Sequence, residues 1–155
     1  KTYLLSNTKI KNDETIKIKY HYPDLEPISQ AHDGEWFDLR SAEDVKLKKD
    51  EFKLIDLGVS IALPEGYEAL LLPRSSTFKK YGLIQTNHCG VIDHLYRGEN
   101  DRWMMPVLAM RDTFIPKNDR ICQFRIIKTQ PPCEIEIVDH MEDEDRSGHG
   151  STGTN

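Results

Sequence analysis

The stretch Val59-Ser-Ile61-Ala-Leu63-Pro64-Glu-Gly-Tyr67-Glu-Ala-Leu70-Leu-Leu72-Pro73-Arg-Ser-Ser76 decides the fold class. Val59, Ile61 and Leu63 alternate with small residues, the period of a strand with one buried face. Pro64-Glu-Gly-Tyr67 is a turn, and the apolar run Leu70-Leu-Leu72 that follows is stopped by Pro73. Working outward, Ile16, Ile18, Tyr20 and Tyr22 alternate with Lys17, Lys19 and His21. The run Ile121-Cys-Gln-Phe-Arg-Ile-Ile127 follows an Asn118-Asp119 turn, and Ile135 and Ile137 alternate with Glu134 and Glu136. Many short strands at this spacing, with no long helical stripe, predict an all-β sandwich or barrel.

One short helix is expected over Thr77–Tyr81. Ser75 and Ser76 supply capping hydroxyls and Gly82 suits a left-handed stop. Arg74 precedes it, so a cation, two hydroxyls and unpaired backbone donors gather where an anion could sit.

The chain has 155 residues, enough for one domain with a real core, and a formal net charge of −5. That balance argues against a sequence-independent grip on a nucleic-acid polymer, which needs a basic face. No run approaches the roughly 20 apolar residues of a membrane span, and the first residues do not read as a signal peptide. Three cysteines, Cys89, Cys122 and Cys133, without Cys-x-x-Cys spacing, read as free thiols in a reducing cytoplasm. The ending changes character. Met141 to Asp145 is acidic, and Arg146 to Asn155 is small, polar and glycine-rich, which predicts a flexible C-terminal arm (141–155) on a β domain (1–140).

The densest chemistry lies in Gly90-Val-Ile-Asp93-x-x-Tyr96-x-Gly98. A glycine-led β run followed by a carboxylate and an aromatic ring can build a small pocket with amide edges, an acid at one end and a flat wall. This run resembles the nucleoside-binding hairpin of the trimeric dUTPases (deoxyuridine triphosphate nucleotidohydrolases). Four further segments fall in that family's order: Asp38-Leu-Arg-Ser-Ala-Glu-Asp44, Pro73-Arg-Ser-Ser76, Asp119-Arg-Ile-Cys-Gln123 and Gly150-Ser-Thr-Gly153 with Arg146 upstream. The resemblance runs from Asp38 to the C-terminus and implies a distorted jelly-roll.

By this resemblance Asp93 is the general base that deprotonates a water attacking the α-phosphorus. Free carboxylic acids are ionised at neutral pH, so such a group needs only placement. Asn87 and the backbone of Gly90, Val91 and Ile92 are similar to the groups that read the uracil edge. Tyr96 looks like the ring beneath the deoxyribose, where a 2′-hydroxyl would clash. Arg74, Ser75, Ser76 and Gln123 resemble the phosphate-lining residues, with Gln123 also near the attacking water. Asp38 resembles an acidic residue that meets Mg²⁺ through water, the ion being held mainly by triphosphate oxygens. Asp44, Asp119 and Arg120 are expected to be turn and interface charges.

The fifth segment departs from the commoner pattern, which has phenylalanine where this chain has His149. Either His149 or Trp103 is therefore the candidate cover over the base, while Arg146, Ser151 and Thr152 would wrap the phosphates. The family also implies a homotrimer with composite sites, using dUTP as substrate. Two alternatives stand beside hydrolysis. A dCTP deaminase shares the architecture but needs a carboxylate on the strand after the hairpin, where this chain reads Trp103-Met-Met-Pro-Val-Leu-Ala-Met110. A nucleotide-gated interaction module would use residues 1–13 or the region of Trp103 to meet a regulatory protein.

Overall fold

The computed structural model of the chain describes residues 14–28 and 35–148. In chain order it runs β1 (Lys17–Tyr20), β2 (Phe37–Arg40), β3 (Val45–Leu47), β4 (Phe52–Ala62) and β5 (Tyr67–Pro73), then the helix α1 (Thr77–Tyr81). There follow β6 (Leu83–Gln85), β7 (Gly90–Ile92), β8 (Arg102–Ala109), β9 (Thr113–Ile115) and β10 (Arg120–Lys128). Two four-stranded sheets, ordered β1-β4-β8-β6 and β2-β10-β5-β7, and a small β3-β9 ribbon are antiparallel in every pairing. This is the expected all-β jelly-roll with one short helix.

The sandwich closes because each sheet turns one apolar face inward. On β8 the alternation is regular, with Trp103, Met105, Val107 and Ala109 buried. They meet Ile55, Leu57 and Ile61 of β4 and Leu71, Ile121 and Phe124 of the second sheet. Each fully buried side chain of this size contributes about 1.5–3 kcal/mol of transfer free energy. Trp103 and Phe124 join the two layers edge to face, with ring centroids 5.1 Å apart.

Strand β4 breaks its alternation at Gly58, where the register with β8 shifts between Asp56 and Ser60. Gly58 has φ +70, and a Cβ there would lie 2.7 Å from Leu25 Cδ2. Only glycine serves at this bulge. The bent strand lets Asp56 accept hydrogen bonds from Tyr22 Oη (2.9 Å) and from the Arg102 guanidinium (2.7 Å), which ties the start of β8 to the body.

Two expectations are corrected. Ile135 and Ile137 are not in a strand; they stand 89% and 93% exposed. Their alternation calls for a ladder partner and a face to cover, and the described part of this chain offers neither. The helix ends at Gly82 in the left-handed conformation, but its N-terminus is not capped by a serine hydroxyl. Thr77 does the bracing instead: its Oγ1 accepts from the Arg74 amide (2.9 Å) and donates to the Ile121 carbonyl (2.9 Å). The hydroxyls of Ser75 and Ser76 are thereby left out of the cap.

Candidate active site

The chain leaves the first sheet at Gln85, turns through Thr86 to Cys89, and enters the second sheet at Gly90. Two corners between layers therefore flank β7: the turn before Gly90, and the run Gly90 to Gly98 expected as a hairpin, since β7 pairs with β5 whereas β6 and β8 pair with each other. β7 is the edge strand of its sheet, so one side of its backbone has no strand neighbour among the described residues. Strand β7 also lines a cavity of about 360 Å³, bounded by Asn87, Gly90, Val91, Ile92, Asp93 and Tyr96, with Leu71, Trp103, Arg102 and Met104 completing it. Its volume suits a ligand of nucleoside size.

Close approach makes the corner specific for glycine. A Cβ on Gly90 would sit 3.0 Å from Leu71 Cβ and 3.5 Å from Asn87 Nδ2, crowding the floor and the polar end together. Asp93 follows β7 and is held by its own turn: Oδ1 accepts from the Leu95 amide at 2.7 Å, and the Asp93 carbonyl accepts from the Tyr96 amide at 3.1 Å. The Tyr96 hydroxyl donates to the Arg102 carbonyl at 2.8 Å, which pins the ring as a wall. Trp103 is 1% exposed and wedged against Phe124. It is therefore part of the floor, with no freedom to cover a base or to meet a protein partner.

A second cluster forms where β2, β5 and β10 run side by side. Gln123 is paired with Asp38, and Cys122 with Pro73. Asp38 meets Arg74 Nε at 3.2 Å through one oxygen and Arg120 at 3.3 Å through the other. Gln123 Nε2 donates to the Pro73 carbonyl at 3.1 Å, just before Arg74, Ser75 and Ser76. Beneath them Cys122 is buried, and that burial pushes its thiol up far beyond the ordinary range. Of the three residues expected as turn and interface charges, Arg120 belongs to this cluster, while Asp44 accepts from the Lys117 amide and Asp119 from the Tyr81 hydroxyl.

The predicted residues thus fall into two groups. Asn87, Gly90, Val91, Ile92, Asp93 and Tyr96 share the cavity, whereas Asp38, Arg74 and Gln123 share the charged cluster and do not line it. Arg146 is exposed after the last strand. His149, Ser151 and Thr152 lie outside the described residues. Sequence reasoning missed Leu71, Arg102 and Met104 in the cavity wall, and Gln85 behind it. A polar side chain at the inward position after Leu83 was the available signal for Gln85.

Among the described residues no three His, Cys, Asp or Glu side chains gather as a metal site. Both Asp38 oxygens already face guanidinium groups, so a direct carboxylate–metal bond does not fit. A hydrated Mg²⁺ bound mainly by ligand oxygens, with Asp38 touching its waters, does fit this donor set.

The dUTPase family model matches residues 28–154. The chain belongs to the dUTPase family. Among curated relatives, the SPbeta prophage-derived deoxyuridine 5'-triphosphate nucleotidohydrolase YosS of Bacillus subtilis is 58% identical over 139 residues, covering 90% of this chain and 98% of that protein. Among solved structures, the Staphylococcus bacteriophage 80alpha dUTPase with dUPNHPP superposes with a TM-score of 0.76 at 24% identity, covering 90% of this chain and 99% of that one. The dUTPase of phage phi11 of S. aureus, described with a coordinated structural Mg(II) ion, gives 0.69 at 22% identity over 81% of this chain and 97% of that one. These structural likenesses agree with the jelly-roll fold.

Proposed function

We infer that this protein hydrolyses dUTP to dUMP and pyrophosphate, which limits uracil incorporation into DNA and supplies dUMP for thymidylate synthesis. The observation that carries this reading is the single cavity shared by Asp93, Tyr96, Asn87 and strand β7. Backbone amides and carbonyls of β7 would read the alternating acceptors and donor of uracil, and close packing at the glycine corner would disfavour a 5-methyl group. Tyr96 stacks against the sugar. Asp93 accepts a proton from water as the water oxygen bonds to the α-phosphorus, and the bond from that phosphorus to the bridging oxygen breaks, with pyrophosphate leaving. Arg74, Ser75, Ser76 and Gln123 hold phosphate oxygens.

Mg²⁺ would supply charge neutralisation on the triphosphate when bound. Arg74 then exchanges part of its pairing with Asp38 for phosphate, while Arg120 keeps the carboxylate paired. The C-terminal arm, residues 141–155, closes over the ligand and brings Arg146, His149, Ser151 and Thr152 to it. With Trp103 fixed in the floor, His149 is the remaining candidate cover.

The two residue groups do not share one cavity within the chain, which supports composite sites in a homotrimer. The outer face of the first sheet is apolar: Phe52 stands opposite Leu108, Leu54 opposite Pro106, and Met104 and Ile84 extend the patch. Phe52 and Leu54 are more than half exposed, and the exposed Ile135 and Ile137 have no strand partner among the described residues. A second copy covering these surfaces accounts for both. No helix among the described residues is long and apolar enough to cross a membrane, and the free cysteines suit a reducing cytoplasm.

The test is direct. Purified protein with Mg²⁺ and dUTP is expected to release one pyrophosphate per dUMP and no ammonia from dCTP; ammonia from dCTP would overturn the assignment in favour of a deaminase. Strand β8 carries no carboxylate to shuttle protons at the base. A binding role toward a regulatory protein is the second reading. Its support is the phage 80alpha relative, described among phage dUTPases that control transfer of virulence genes. A cellular effect surviving in Asp93→Asn would separate that role from hydrolysis.

A further inference from the structure

Gln85 is 2% exposed on the inward side of β6. Its Nε2 donates to the Leu71 carbonyl at 2.9 Å and to Asn87 Oδ1 at 2.8 Å, while its Oε1 is buried with no partner among the described residues. The orientation of this amide is compelled. A main-chain carbonyl can only accept, so reversing Gln85 would set oxygen against oxygen at Leu71. The second hydrogen of the same nitrogen then engages Asn87 Oδ1, which leaves Asn87 Nδ2 turned toward Gly90, 3.5 Å from where a Cβ would be. Asn87 therefore offers the cavity a donor of fixed sense. An orphaned buried oxygen is unfavourable, and a leucine at this inward position would avoid it.

We propose that Gln85 is a specificity-determining positioning residue: by holding Asn87 Oδ1, it makes the Asn87 amide present NH₂ to the base and so selects a pyrimidine with a carbonyl, as in uracil, over one with an exocyclic amine, as in cytosine. The proposal rests on the reading of this cavity as the base pocket. An Asn amide free to rotate serves either edge, since it can offer oxygen to an amine as readily as nitrogen to a carbonyl. A clamped one leaves two donors facing each other when an amine enters, and buried mismatches of this kind discriminate strongly.

The experiment measures kcat/KM for dUTP and dCTP, by pyrophosphate release, in the wild type, Gln85→Leu, Gln85→Met, Asn87→Ala and the double variant Gln85→Leu/Asn87→Ala. Gln85→Leu and Gln85→Met are expected to narrow the dUTP-to-dCTP ratio by about tenfold or more. In the Asn87→Ala background Gln85→Leu is expected to leave the ratio unchanged, because the effect travels through Asn87. Equal losses on both nucleotides, or a lowered Tm with an unchanged ratio, would show a purely structural role and overturn the proposal. A narrowing that persists without Asn87 would overturn it too. Absence of wild-type dUTP turnover would contradict the hydrolase reading instead. The positioning is then read from relative affinities for dUMP and dCMP, with the same outcomes deciding it.

Discussion

The cavity beside β7 and the charged cluster at β2, β5 and β10 are built on opposite plans. The cavity is defined by backbone: an edge strand, a glycine corner and a floor made rigid by Trp103 packed on Phe124. Its polar groups are fixed before any ligand arrives, as selective readout requires. The cluster is defined by long side chains that neutralise one another, Asp38 being shared between Arg74 and Arg120. Its charges must change partners to receive a phosphate, and half-exposed ion pairs exchange at small free-energy cost. The difference teaches that selectivity and charge handling are separated in this fold. In the proposed function one region would identify the base, and the other would accommodate the flexible, highly charged triphosphate.

The strongest way to break this contrast is at Asp93. Asp93→Asn keeps the turn acceptor but loses the base, so turnover is expected to fall by about 10²–10⁴-fold. Calorimetric affinity for a non-hydrolysable dUTP analogue should stay near wild type; a matching loss of binding would make Asp93 a structural residue. Next, Leu54→Glu places a charge on the apolar outer face. A buried unpaired charge costs about 3 kcal/mol or more, roughly a hundredfold in association constant. Light scattering should show smaller particles with native circular dichroism and depressed turnover. An intact oligomer would move the interface elsewhere.

Within the charged cluster the two arginines should differ. Arg74→Ala is expected to lower kcat/KM by roughly a hundredfold, since charge-assisted phosphate contacts are the strong ones. Arg120→Ala should cost no more than about threefold, because its pairing with Asp38 is half exposed. Equal effects would erase the distinction between phosphate ligand and Asp38 partner. The smallest expected effect is a rate of labelling. Cys133 is exposed and should react with iodoacetamide readily, whereas Cys122, buried beneath Arg74 with its thiol pushed up, should resist unless the cluster opens.

Much of the body was legible because its strands carry their own period. β4, β5 and β10 follow from Val59-x-Ile61-x-Leu63, Leu70-Leu-Leu72 and Ile121 to Ile127, each with a turn at its end. The helix was legible from Thr77 and Gly82, but its cap was not. Thr77 braces Arg74 and Ile121 only because β10 lies alongside, a tertiary fact. For the same reason the run Gly90 to Gly98 read as a hairpin: local spacing does not reveal that β7 and β8 enter different sheets. Arg120 joined Asp38 through the β2–β10 register, which no single segment encodes. Ile135 and Ile137 carried a true alternation without a strand, since the pattern states that a face must be covered and does not say by which chain.

In the proposed trimer a working site takes its Asp93 cavity from one copy and its Arg74 cluster from another. Refolding Asp93→Asn together with Arg74→Ala at equal concentration tests it most directly. Cyclic trimers formed at random would join an intact cavity to an intact cluster at about a quarter of their interfaces, so the account predicts recovery of about that fraction of wild-type turnover from two nearly inactive proteins. A mixture no more active than its parents, with mixed trimers verified by mass, would contradict it and place both regions in the service of a single chain.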